Sequence, residues 1–148
     1  MEAVAARTER RIAVQEYGRP NVEMKAALEK LGACVTPIVL YRWELPADIG
    51  PLQMAARRLA DRQVDVVLFT SSIQFDHLMM IAEGLGIQPQ VADALREYTA
   101  IASVGPVMTA SLAAAGFPVD IVPVHPKMAA LVKVASEMTA AVVARKRV

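Results

Sequence analysis

The chain has few of the groups that move protons, electrons or metals. Cys34 is its only cysteine, and its two histidines stand far apart at His77 and His125. A disulfide framework, a thiolate cluster and a histidine metal site are therefore not expected, so the metal set is empty. Aromatics make up 5% of 148 residues, and 16 basic residues balance 15 acidic ones to a net charge of +1. That balance carries no electrostatic footprint for nucleic acid. No apolar run reaches the length of a membrane span, although 55% of the residues are hydrophobic. The charged start lacks the apolar stretch of a signal peptide, so residues 1–10 read as a leader or linker. A cytoplasmic, reducing setting is expected. No Walker or glycine-rich phosphate loop is present, so Gly18 with Arg19 and Asn21 gives no support to a flavin or nucleotide carrier.

What is present is a regular alternation of apolar runs and amphipathic segments. Strands are expected at Ile12–Gln15, Val35–Tyr41, Val64–Thr70, Thr99–Val104 and Val119–Val124, with helices between them and a last helix from Lys127 to Arg145. Asn21 is placed to cap the first helix and Gly32 to stop it. Such alternation predicts a parallel sheet with helices on both faces. Pro37 and Pro123 sit inside the second and fifth strands, and proline is confined to edges and bulges. The order 2-1-3-4-5 puts both at the edges of a five-stranded flavodoxin-like sheet spanning residues 11–148 as one α/β domain. Its ligand crevice would lie at the carboxyl ends of strands one and three.

Two strand-to-helix turns then stand out. One is Thr70-Ser71-Ser72 after an apolar run, and the other is Ser103-Val104-Gly105-Pro106. Hydroxyl residues cap helices, and the N–H groups at a helix start attract anions. Both roles can hold at once. Tyr17 and Gly18 join these turns in the expected crevice. Tyr41 and Trp43 leave the second strand with Arg42 between them, either as aromatic packing at a strand end or with a phenol at the crevice rim. Asp65 and Asp120 sit at strand starts, at the end away from the crevice. A site of hydroxyls and amides without a clustered nucleophile or base is suited to holding and orienting.

The stretches Ile12-Ala13-Val14-Gln15-Glu16-Tyr17-Gly18-Arg19-Pro20-Asn21, Pro37-Ile38-Val39-Leu40-Tyr41-Arg42-Trp43, Asp65-Val66-Val67-Leu68-Phe69-Thr70-Ser71, Ser103-Val104-Gly105-Pro106 and His125-Pro126-Lys127-Met128 resemble the C-terminal half of uroporphyrinogen-III synthases, in the same order. The resemblance implies a lyase of tetrapyrrole and haem biosynthesis that works without metal or organic cofactor. Such enzymes close linear hydroxymethylbilane to uroporphyrinogen III with loss of water, inverting the last pyrrole ring. It gives Tyr41 the place of the cleft-facing tyrosine to which assistance of hydroxyl departure is ascribed. It makes Tyr17, Gly18, Thr70, Ser71, Ser72, Ser103, Gly105 and Pro106 substrate-binding residues. Where the family has threonine next to Gly-Pro, this chain has Val107 and Met108, with Thr109 only after them.

The family protein is two-lobed and about twice as long, and its chain passes from one lobe to the other after the strand holding Tyr41. Two arrangements are therefore open. The chain folds back into one closed domain, or two copies exchange their N-terminal units after Tyr41. A companion N-terminal half is the other partner that the resemblance implies. The alternative to catalysis is a non-catalytic module of the same fold that binds a tetrapyrrole or another polyanion.

Overall fold

The structure, a computed structural model, describes residues 10–16, 18, 20–40 and 42–148. Tyr17 and Tyr41 lie outside the described residues. The chain divides into two compact units, one ending at Leu45 and the other running Pro46–Val148.

The first unit holds β1 (Arg11–Glu16), α1 (Val22–Lys30) and β2 (Cys34–Val39). The strands pair in parallel, from Arg11 opposite Cys34 to Glu16 opposite Val39. Asn21 caps α1 as expected, its Oδ1 accepting from Met24 N at 3.0 Å. Leu28 is the buried anchor of the helix. Pro37 stands opposite Val14 and gives no ladder hydrogen, which a two-stranded sheet with free edges tolerates.

The second unit holds α2 (Gly50–Ala60), β3 (Val66–Phe69), α3 (Ser72–Gly84), α4 (Gln88–Glu97), β4 (Ala100–Ser103), α5 (Pro106–Ala114) and α6 (Met128–Lys146). β3 and β4 pair in parallel, Val66 opposite Ala100 and Phe69 opposite Ser103. All four residues of β4 are buried. Alternation along β4 sends Ala100 and Ala102 into a cluster with Leu131, Ala135 and Val142 of α6. Phe69 of β3 meets Phe75 of α3 edge-to-face at 5.7 Å between ring centres, and Phe75 meets Phe117 in the same manner at 4.9 Å. Among the described residues, no helix is long and apolar enough to cross a membrane.

The expected five-stranded flavodoxin-like sheet in the order 2-1-3-4-5 is not formed. The strands make two separate two-stranded sheets, β1–β2 and β3–β4. β1 and β3 belong to different units, so the crevice expected at their carboxyl ends falls with that order. The stretch Leu45–Pro51 carries two prolines and no strand. The fifth strand shrinks to one parallel bridge, Ala102 opposite Ile121. Pro118 and Pro123 bracket that bridge and supply no ladder donors. Asp120 also replaces a ladder acceptor with its side chain, since Ile101 N donates to its Oδ2 at 2.8 Å.

That carboxylate also pairs with Lys146 Nζ at 2.7 Å, both side chains being about nine-tenths buried. Lys146 further donates to Thr99 O at 2.8 Å and Leu95 O at 3.1 Å. Removing one member of a buried pair leaves the other charge desolvated and uncompensated. Lys146→Ala is expected to cost about 3–5 kcal/mol of stability, read as a fall in the urea midpoint of the second unit.

Candidate functional site

In the second unit, the two turns singled out from the sequence leave neighbouring strands at the same end. Phe69 and Ser103 are register partners, and Val104 N donates to Phe69 O at 3.0 Å. Thr70-Ser71-Ser72 therefore stands beside Val104-Gly105-Pro106. A third turn joins them. After the bridge, where Ser103 N donates to Ile121 O at 2.9 Å, the chain runs on through His125-Pro126-Lys127 into α6. Pro126 lies against Gly105 so closely that a Cβ on the glycine would stand 2.7 Å from Pro126 Cβ. The starts of α3, α5 and α6 thus share one rim. Each of those helices opens with N–H groups that have no partner in the helix, and each brings the positive end of its dipole.

The hydroxyls of the rim are only partly free. Gln74 reaches back from the first turn of α3, and its Oε1 accepts from Thr70 N at 2.9 Å, Thr70 Oγ1 at 3.2 Å and Ser71 N at 3.3 Å. Three donors on one oxygen fix the shape of the turn and leave Thr70, Ser71 and Ser72 half-buried. Ser103 is fully buried, and its Oγ lies 2.5 Å from Thr109 Oγ1. Thr109 Oγ1 also lies 3.1 Å from Gly105 O, which can only accept, and either hydroxyl can supply the proton of the Ser103 contact. The threonine displaced along the sequence is turned inward to close the Gly-Pro corner. The outer surface of that corner is Val107, which is 84% exposed.

The first unit carries a separate feature. Gly18 has φ +74°, and a Cβ there would overlap Trp43 Cδ1. The indole lies where only glycine leaves room. Around this contact, Glu16, Gly18, Pro20, Val39, Arg42 and Trp43 line a pocket of about 310 Å³.

Of the expected set, Thr70, Ser71, Ser72, Gly105 and Pro106 stand on one rim, with Ser103 buried beneath it. Gly18 belongs to the first unit, and Tyr17 and Tyr41 fall outside the described residues. His77 is half-buried within α3 and His125 is exposed beside Pro126. No group of three or more metal-ligating side chains occurs among the described residues. Asp65, placed away from the site by the sequence reading, pairs with Arg147 at 2.6 Å. Gln74 and Glu16 were not in the expected set. The Ser71-x-x-Gln74 spacing of a capping box was a signal for the first. Nothing local in the sequence marks the second.

Comparison with known proteins bears on all of this. Residues 6–133 match the family model HEM4, uroporphyrinogen-III synthase HemD. The chain is 31% identical over 121 residues to the uncharacterized protein YjjA of Bacillus subtilis (strain 168), covering 82% of this chain and 44% of that one. It is similar to the wild-type uroporphyrinogen III synthase of the extremely thermophilic bacterium Thermus thermophilus, with a TM-score of 0.61 at 25% identity over 92% of this chain and 51% of that one. A mutant form of that synthase gives a TM-score of 0.65 at 22% identity, over 88% and 50%. The chain spans about half the length of the proteins it matches.

Three outcomes follow from the contacts. Thr109→Val leaves the buried Ser103 hydroxyl without its partner, and is expected to lower stability by about 1–3 kcal/mol in urea unfolding. Adding Ser103→Ala removes the stranded hydroxyl and should recover most of that loss. Gly18→Ala must displace the indole of Trp43, the one tryptophan of the chain. A shift in tryptophan emission at unchanged far-ultraviolet circular dichroism is the expected result.

Proposed function

The chain belongs to the uroporphyrinogen-III synthase family, and from that premise we propose that it binds linear hydroxymethylbilane and closes it to uroporphyrinogen III. The observation that carries this reading is the shared rim, with the starts of three helices around Gly105 and Pro126. A polycarboxylate substrate needs many anion-accepting groups held in fixed positions, and helix-start N–H groups supply them without a cofactor. The chemistry asks little else of the protein. The terminal hydroxyl leaves as water on taking up a proton, and the resulting cation is reactive unaided. Holding one geometry while the last ring inverts, and stabilising the cation, are the tasks that remain. In this reading Thr70, Ser71, Ser72, Gly105 and Pro106 shape the binding surface of the second unit over the buried Ser103, and in the first unit Tyr41 assists departure of the hydroxyl while Tyr17 and Gly18 also bind substrate.

One observation favours a second reading, a non-catalytic module that binds a tetrapyrrole. At the Gly-Pro corner the threonine hydroxyl is turned inward, and an exposed valine takes the outer position. Such a corner binds but offers a substrate no hydroxyl.

The first unit bears on partners. Val22, Ile38, Val39 and Leu40 are exposed on a unit of two strands and one helix. A unit this small is marginal alone. A second copy of the chain, exchanging units after Tyr41, or a companion half is expected to cover these residues.

Fresh hydroxymethylbilane supplied to the purified chain at known solution mass tests both points. Catalysis predicts enrichment of the type III isomer over the spontaneous product, with the activity tracking the dimeric fraction or the added companion half. Bound bilane without isomer enrichment establishes the binding module instead. Ser71→Ala, which removes one donor of about 1 kcal/mol, should weaken bilane binding about fivefold.

A further inference from the structure

α6 is apolar on both sides. Its inner residues Leu131, Ala135 and Val142 are buried in one cluster with Ala100 and Ala102 of β4. The outer side differs from that of α4, where Gln90, Asp93, Arg96 and Glu97 meet solvent. On α6 a seam of Ala129, Val132, Ser136, Ala140 and Val143 recurs at steps of three and four residues. Val132 is 57% exposed, and Val143 is half-buried. A helix that is apolar all round is normally covered all round, and this spacing is that of paired helices. Ser136 Oγ donates to Lys133 O at 2.7 Å, so the seam needs no outside partner for its one hydroxyl. Two exposed charges, Lys133 and Glu137, flank the seam on one edge. They stand one turn apart, in the order that pairs less well within a helix. Neither side chain forms an ion pair or hydrogen bond with a described residue.

We propose that this face of α6 packs antiparallel against the same face of a second copy, with the two-fold axis at Ser136. About that axis Ala129 faces the partner's Val143 and Val132 faces the partner's Ala140, so each larger side chain meets a smaller one. An antiparallel two-fold keeps the charged edges on the same side. Lys133 then comes beside the partner's Glu137, and Glu137 beside the partner's Lys133, so the charges left open in one chain close across the axis. A parallel pairing would put the two charged edges on opposite sides of the seam, out of reach of one another. The face is thus complementary to itself, and a second copy is its occupant. It belongs to the second unit and shares no residue with the exposed patch of the first, so it stands whether or not copies exchange their first units. A single helix pair lies at the small end of interface size, and the dimer is expected to build up with concentration.

Sedimentation of the full chain across a concentration series reads the assembly, and a monomer–dimer equilibrium is the expected result. Lys133→Glu and Glu137→Lys should each weaken the dimer about tenfold, since each sets like charges together at two symmetric places. The two changes together should restore it, because the reversed charges again face each other. In a Cys34→Ser background, Ser136→Cys should oxidise to a linked dimer, its two sulfurs meeting at the axis. Ala141→Cys, on the same helix but off the seam, should not. All of the altered positions are exposed. A chain that stays monomeric at every concentration overturns the proposal without any variant. A dimer indifferent to either charge reversal, or a double reversal no better than the single ones, also overturns it. So does a dimer in which Ser136→Cys fails to link, which would mark exchange of first units as the sole contact. Turnover of hydroxymethylbilane is not read in this experiment, so the cyclisation reading stands or falls separately.

Discussion

The carboxylate of Asp120 sits where three parts of the second unit meet. It accepts the N–H of Ile101 in β4 and the ammonium of Lys146 at the end of α6, and it belongs to the segment that bridges to Ala102. Both donors fall on one oxygen, Oδ2, of a side chain about nine-tenths buried, so the negative charge is held by an amide and an ammonium together. The ammonium is satisfied in the same way by Leu95 O and Thr99 O. Beside this pair, Arg147 stacks on Tyr98 at 3.6 Å and pairs with Asp65. The C-terminal end of the longest helix is thereby fixed to the starts of both strands.

Fixing one end of a layered unit fixes the other. Because β3, β4 and the bridge run parallel, everything that follows them emerges together. The corner at Gly105 then meets Pro126 at a distance no side chain would allow. The ion pair and the glycine contact lie at opposite ends of the same strands. Both hold segments of α6 and its approach against β4 and the turn that follows it. Leu131, Ala135 and Val142 fill the space between, with alanines at Ala100 and Ala102 allowing the helix to come close.

Much of this was legible along the chain, and what was not has a common cause. Helices and strands announce themselves through local period, and Asn21 and Gly32 marked the ends of α1 as the chain has them. Pairing between strands is not local. The prolines read as placing the second and fifth strands at the edges of one sheet, but β1 and β3 lie in different sheets and the expected fifth strand is a single bridge. Nor did they show that Asp120 would take a ladder hydrogen with its side chain. The inward turn of Thr109 and the reach of Gln74 are side-chain choices made after the backbone is set. Glu16 looks like an ordinary polar residue closing a strand. Its place in the lining of a pocket with Gly18 and Trp43 follows from packing that the local sequence does not show.

The low identity to solved relatives has a physical reading on these terms. A rim built from helix-start amides does not depend on which side chains follow the turns, because every residue but proline brings the same N–H. What such a rim requires is room for the backbone, so the demanding positions are contacts such as Gly105 against Pro126. A fold likeness with a TM-score of 0.61 at 25% identity is what a backbone-made surface permits.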